Sequence, residues 1–481
     1  MAKHKINLNT YQTNFLNYIL ISFAFTLTII CGSNLYQILA SSISPFEFDT
    51  VYVINMVTGF IKNGLPSSYN IYGNSVWTCS ETIPGECFNP NILNLHQNDV
   101  FPIDHSSGYI MVFLTGIISK IFIIFNPIND SNSVHEIFGI IIKSYSIYCV
   151  LIYFFCAFML MISLYFINKA WEIGVLEKIV LFLIFLTVPF CGIYAVTNRI
   201  IGEFTAVIFL SSAYLIFGAS SLTLIKYQIN KLYLRAETKA KYRSYLKKTS
   251  LVLFLLLFLA VEAKSSVLPG CLAIFISQII IYLNQEIFES NLNTFPKIIK
   301  NLIKFISKRI ILISLSIGSL FFANKSIPLL GYLIFKIDSL SEFITKSKAF
   351  ISYQSNAGKN WGGESMTIIQ NIKNNFNSYK MSEFIIPISL LFTGILILIF
   401  IYKIYKNISL HKSLEIKYIE ISSISLTFCN LLILLGSWSY SLIYKFPYPR
   451  NLYISIVFSL LVPIVLSLFY KNIFFTKMIK E

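Results

Sequence analysis

The chain has 481 residues, of which 56% are hydrophobic and only 12% charged, with a formal net charge of +16 and a mean hydropathy of +0.69. A soluble domain carries roughly a quarter charged residues, so this composition excludes an ordinary soluble fold. The basic residues fall in short clusters between apolar runs, as membrane topology requires; no RNA- or DNA-binding motif accompanies them, and nucleic acid is not an expected partner.

In chain order, Lys3, His4 and Lys5 precede an apolar stretch at 15–39. It is too long for a signal-peptide core and no small-residue cleavage site follows, so it reads as a retained first helix. Further apolar segments lie at 107–126, 137–167, 177–196, 203–225, 249–262, 266–284, 309–335, 383–402, 418–437 and 452–470. Their recurrence is what lipid-spanning helices demand. If all of them crossed from an inside N-terminus, the 226–248 connection would lie outside. It holds Lys226, Lys231, Arg235, Lys239, Lys241, Arg243, Lys247 and Lys248 against Glu237 alone, which contradicts the positive-inside rule. Reading 107–126 as an interfacial or re-entrant helix removes the conflict. That segment follows Pro102, opens on Asp104-His105-Ser106-Ser107-Gly108 and ends at Asn126-Pro127. The basic connections then fall inside. The 41–106 loop, with Glu47, Asp49, Glu81, Glu86, Asp99 and Asp104 against Lys62, falls outside.

The expected fold is therefore an all-α polytopic bundle of about ten transmembrane helices, with interfacial helices in a large first outer loop. It divides into 1–335, a transmembrane module whose first outer loop spans about 41–136, and 336–481, a second outer loop with the C-terminal helices. No internal repeat of the transporter kind is visible. Two segments are amphipathic. Asp49–Asn63 places Val53, Val57 and Phe60/Ile61 on one face. Pro296–Lys308 sets Ile298, Ile299, Leu302, Phe305 and Ile306 opposite lysines, as interfacial helices do.

Of eight cysteines, six lie in or beside apolar runs, where a small buried side chain suffices. Cys79 and Cys87 lie in a polar loop; outside the cytoplasm they suit a disulfide, and inside they would be two free thiols.

Charged groups near membrane depth are costly, which makes the few present candidates for function. Asp49 fits two roles, an N-cap for the helix that starts there and a general base toward an acceptor hydroxyl or amine. Asp104 and His105 open the 107–126 segment, as a cap with a solvated imidazole or as a carboxylate–imidazole pair for a phosphate, a metal or a leaving group. Together with His96 and Asp99 they carry the ligand types for a divalent metal, at a spacing that matches no defined motif. Arg199 and Glu203 stand at i,i+4 spacing, as a helix-stabilising ion pair or as an oxyanion fork beside a second acid. Lys264, in the Glu262-Ala263-Lys264 break between two apolar runs, either snorkels to the interface or holds a lipid phosphate. Arg450, opening the last helix beside Tyr448 and Tyr453, has the same two readings. There is no Walker loop, dinucleotide glycine fingerprint, HExxH, CxxC or serine elbow.

Four stretches together resemble the GT-C superfamily of polytopic glycosyltransferases, among them the bacterial relatives of protein O-mannosyltransferases and of the lipid A aminoarabinose transferase. Asp49-Thr50-Val51-Tyr52, followed by Gly64, is similar to a first-loop Asp-Glu-x-x-Tyr motif. Phe101-Pro102-Ile103-Asp104-His105-Ser106-Ser107-Gly108-Tyr109 stands in the place of a juxtamembrane His/Lys-Pro-Pro-Leu helix. Arg199-Ile200-Ile201-Gly202-Glu203 opens a later helix. Ala260-Val261-Glu262-Ala263-Lys264, leading to Pro269, is similar to a Leu-Thr-Lys hairpin, and Arg450 fits near the last helix. Thr50 replaces the usual second acid, and Ser106 and Ser107 stand where prolines are common. The resemblance implies inverting sugar transfer from a polyprenyl-phosphate donor to a glycan, lipid or protein acceptor, at the outer face of a bacterial inner membrane. Asp49 would be the base, with Glu203 a second acid. His105, Arg199, Lys264 and Arg450 would meet the donor phosphate, with Asp99 and Asp104 nearby. The alternatives from other classes are a transporter or lipid flippase, which predicts charges near helix midpoints, an envelope polysaccharide polymerase, and a non-catalytic scaffold.

Overall fold

The computed structural model describes residues 109–127, 134–170, 200–230, 236–289, 414–443 and 449–478, with further helical positions at 22, 26, 29, 30, 33, 57, 61, 300, 303, 307, 314, 316–320, 369, 370, 387, 388, 390–399, 401 and 402. All regular structure among the described residues is helical. The long elements are α1 (Tyr109–Phe125), α2 (Val134–Ala170), α3 (Ile200–Asn230), α4 (Ala236–Ala263), α5 (Leu268–Glu289), α6 (Leu414–Ile443) and α7 (Pro449–Met478), with a 3-10 turn at Ser265–Val267 joining α4 to α5.

The helix ends follow from local chemistry. At the end of α1, Asn126 N donates to Phe122 O at 2.9 Å, and Pro127, which has no N–H, cannot continue the ladder. α5 and α7 carry Pro269 and Pro449 in their first turns, where the missing donor costs nothing. Pro463 lies inside α7, a position that membrane helices tolerate better than soluble ones.

α3 is the hub. It packs against α2, α4, α5, α6 and α7, and every position of Thr205–Ile225 is buried. Its sequence explains this, because Ala206, Ser211, Ser212, Ala213, Ala219, Ser220 and Ser221 are small and buried. Small residues let neighbouring backbones approach from all sides. The same device joins α5 to α6. A Cβ on Gly436 would lie 2.7 Å from Ala273 Cβ and 2.9 Å from Pro269 O, so that crossing closes only around glycine.

What faces outward is apolar, and much of what faces inward is polar. On α6, Ile421, Ile424, Phe428 and Leu435 are exposed while Ser422, Ser423, Thr427, Asn430 and Ser437 are buried. On α2, Leu151, Phe154, Phe155, Phe158 and Tyr165 are exposed while Ser144, Ser146 and Ser163 are buried. In water this arrangement would be unfavourable on both faces. In lipid it is expected, since hydrocarbon rewards the outer face and buried hydroxyls find partners inside. Three helical stretches among the described residues, Gly139–Ser163, Thr205–Ile225 and Ile421–Ser439, are long and apolar enough to cross a membrane.

Inter-helix bonds stitch the bundle together. Tyr214 OH of α3 donates to Asn430 Oδ1 of α6, and Asn430 Nδ2 donates to Leu426 O at 2.7 Å. Thr427 and Tyr470 hydroxyls lie 2.7 Å apart between α6 and α7. Trp438 Nε1 donates to Ser459 Oγ at 3.1 Å across the same pair of helices. The four cysteines among the described residues, Cys149, Cys156, Cys271 and Cys429, are buried free thiols, as their apolar settings predict. Cys271 Sγ donates to Leu257 O of α4 and Cys429 Sγ to Ser277 O of α5, each at 3.7 Å.

The structure bears on four of the sequence expectations. The 226–248 stretch is largely helical: α3 runs on to Asn230 and α4 begins at Ala236, so most of the basic cluster lies on a helical extension of α4. Tyr109–Phe125 packs along α2 and α4. It exposes Phe113, Leu114, Ile121, Ile124 and Phe125 and buries Thr115 and Ser119. Its exposed positions are apolar and its buried ones polar, the same pattern as the longer helices. Its 17 described residues rise about 25 Å. Finally, Val57 is buried within the core and Ile61 packs against it, as the amphipathic reading of 49–63 requires. In the other amphipathic segment, Lys300, Ile303 and Ser307 are helical and exposed at i, i+3 and i+7, which is the face opposite the expected apolar one.

Candidate functional site

Contacts between helices fix their directions, and with them the residues that share one end. Ser250 Oγ lies 3.1 Å from Tyr282 OH and Cys271 meets Leu257, so α4 and α5 are antiparallel. Ser277 Oγ donates to Cys429 O at 3.4 Å and Gly436 meets Gly270, so α5 and α6 are antiparallel. Thr427–Tyr470 and Trp438–Ser459 make α6 and α7 antiparallel as well. Leu210 sits against Gly270 and Tyr214 against Asn430, which runs α3 parallel to α5. Phe155 meets Phe209 and Tyr245 OH donates to Phe166 O at 3.3 Å, which runs α2 parallel to α3. The starts of α2, α3, α5 and α7 and the ends of α4 and α6 therefore point to one end of the bundle.

Three of the expected site residues lie at that end. Glu203 is in the first turn of α3 and Arg450 is the second residue of α7. Lys264 occupies the turn after α4, where Lys264 N donates to Ala260 O at 3.1 Å and Val267 N to Lys264 O at 3.4 Å. The turn touches α3 and α6 as well as the helices it joins. Lys264 is only 9% exposed and Glu262, which sequence reasoning used only to mark the turn, only 4%. Lys264 is thus enclosed by protein rather than standing open at the surface.

The turn is also recessed. Gly270 stands level with Leu210 of α3 and Gly436 of α6. From Leu210, α3 continues to Ile200, roughly 15 Å further at 1.5 Å per residue. Leu257 of α4 stands level with Cys271, so Lys264, seven residues on, lies about 10 Å beyond that level at the same pitch. Lys264 thus lies on the order of one helical turn inside the end of α3. The expected apolar run of α4, 249–262, spans only about 21 Å, which agrees with a hairpin that stops short of the far surface. Lys264 lies near the level where the 203–225 apolar run of α3 begins, and a buried charge there calls for a ligand or a partner charge.

Asp49, Asp99, Asp104, His105, Arg199, Cys79 and Cys87 lie outside the described residues. So do the four residues weighed as metal ligands. Among the described residues no three His, Cys, Asp or Glu side chains gather as a metal site would require.

The class these observations define is an all-helical bundle with the inside-out polarity of a membrane protein. No protein-family model matches the chain, and no curated protein or solved structure matches it either.

Proposed function

We propose that the chain is a membrane glycosyltransferase of the GT-C type. In this reading about ten helices cross a bacterial inner membrane, the N-terminus is cytoplasmic and the reaction occurs on the opposite face. The sugar comes from a polyprenyl-phosphate donor and passes to an envelope glycan, lipid or protein. An acceptor oxygen or nitrogen attacks the anomeric carbon from the face opposite the phosphate. The bond from that carbon to the phosphate oxygen breaks, and polyprenyl phosphate leaves with the bonding pair. Asp49 takes the acceptor proton. Cations opposite the leaving phosphate stabilise its growing charge, and Lys264, Arg450, Arg199 and His105 have the required chemistry.

The observation that carries this reading is the recessed turn. Lys264 and Glu262 are buried at the end of the bundle where α3 and α7 begin, and a lipid-borne phosphate is a group that reaches such a depth from the bilayer. The test is a transfer assay in membranes with labelled polyprenyl-phosphate sugars. Asp49→Asn is expected to lower turnover about 10²–10⁴-fold and Lys264→Met about 10²–10³-fold. Full activity in Asp49→Asn removes that residue as the base.

The same recessed charges favour a second reading, a transporter or flippase for a lipid-linked substrate, since such proteins hold charges within the membrane. Movement of the labelled lipid between leaflets without sugar transfer would select it.

A further inference from the structure

The other end of α4 carries a surface that the transfer reaction does not use. α4 exposes one continuous stripe in which Lys241, Ser244, Lys247 and Lys248 give way to Leu251 and Leu255. Leu251 is 71% exposed and stands a single helical turn from Lys247 and Lys248. The stripe therefore passes from cationic to apolar over one turn, on one face of one straight element. Aromatic hydroxyls on three helices gather within about 8 Å of helix length. Tyr245 of α4 is half-buried and donates to Phe166 O of α2 at 3.3 Å. Its ring packs on Phe166 at 5.8 Å between centroids. Tyr165 of α2 is exposed beside that pair, and Tyr282 of α5 meets Ser250 one turn further along. Tyrosines of this kind collect where headgroups meet hydrocarbon.

The lysines gain little from their own helix. Lys239, Arg243 and Lys247 follow one another at four-residue spacing, which places like charges in a row and opposes helix formation. The positive end of the helix dipole lies beneath the first of them and adds to the penalty. Glu237 is the sole acid in the extension. An external layer of anions at this level relieves the repulsion.

We propose that the Lys241–Lys247–Lys248 face is a docking surface for anionic phospholipid, which it binds through the headgroup phosphates while Leu251 and Leu255 contact the acyl chains. The occupant is lipid rather than a soluble polyanion because the cations and the lipid-facing leucines share one stripe. This inference stands independently of the proposed transfer reaction.

The test uses the full chain purified in neutral detergent, with bound lipid counted by native mass spectrometry after titration with phosphatidylglycerol or phosphatidylcholine. Phosphatidylglycerol is expected to be retained preferentially, and its retention is expected to fall steeply as sodium chloride is raised. Each lysine-to-glutamine change is expected to weaken retention about fivefold at low salt, and the triple variant K241Q/K247Q/K248Q on the order of a hundredfold. The triple lysine-to-arginine variant is expected to keep the preference. Equal retention of the two lipids by the wild type overturns the proposal, as does a salt-insensitive preference or a glutamine triple variant that binds as the wild type does. If the glutamine variant does not fold, the lipid preference and salt dependence of the wild type decide the matter.

Discussion

The two ends of α4 treat charge in opposite ways. At its start, Lys241, Lys247 and Lys248 are exposed on a helical extension. At its end, Glu262 and Lys264 are buried, beside a turn that touches α3, α5 and α6. The lysines differ in surroundings alone, yet the energetic consequences differ greatly. An exposed ammonium keeps its hydration, and neighbours matter to it by tenths of a kcal/mol. An enclosed charge loses hydration, and only compensating interactions keep it there. Placement at this depth, more than residue type, is what separates a topological signal from a candidate site.

Substitutions at the enclosed end are the strongest way to break that contrast. Glu262→Ala or Lys264→Ala removes one of two opposite charges shut into the same turn and is expected to cost about 3–5 kcal/mol. Thermal unfolding of each single variant and of the pair in detergent checks this, and an additive double variant would show that the two charges act separately. Next in size is the packing that holds the turn at its depth. Gly436→Leu forces a side chain into space held by Ala273 and Pro269 and is expected to cost roughly 3 kcal/mol or more. Gly139→Ala, with nothing within 4 Å of the added methyl, is expected to be neutral or to stabilise by up to about 1 kcal/mol. Equal melting temperatures for the two glycine variants would contradict the close α5–α6 crossing.

The core polar seam ranks third. Tyr214→Phe deletes the hydroxyl that meets Asn430. Hydrogen bonds between membrane helices average about 0.6 kcal/mol and reach about 1.7, and the buried Asn430 places this one toward the upper figure. A fourth test concerns pH. Burial pushes the Tyr245 phenol up to about 12. Because the folded value lies above the unfolded one, the neutral form favours the fold. Its contribution is complete below about pH 10 and is lost as pH rises toward 12. Tyr245→Phe is expected to flatten that part of a stability–pH curve. The smallest effect belongs to the exposed end, where K241Q or K247Q is expected to shift stability by less than about 0.5 kcal/mol in neutral detergent. A large loss there would erase the contrast between the two ends.

Much of the architecture was legible before any coordinates. The apolar runs at 203–225 and 418–437 became helices because hydrocarbon leaves a backbone no other way to satisfy its hydrogen bonds. The Glu262-Ala263-Lys264 break became a turn because two charges there end an apolar run, and Pro269 suits the first turn of the next helix. The i,i+4 pair Val57 and Ile61 found the core because their spacing defines a helical face. Of the site, the shared end of Glu203, Lys264 and Arg450 was foreseen through alternating topology. The enclosure of Glu262 was not, since its carboxylate looked like one more loop acid.

The sequence by itself determined the helical character seen throughout the described residues and the apolar spans of a membrane protein, because composition and segment length alone answer what lipid requires. Only the tertiary structure decided that α3 is the hub and that the α4–α5 hairpin stops about one turn short. Lipid and protein neighbours are nearly equally apolar to a helix, so periodicity does not tell an inner span from an outer one. Shape does: the small residues of α3 and the glycine crossing at Gly436 let backbones close together, and that close packing sets which charges lie inside.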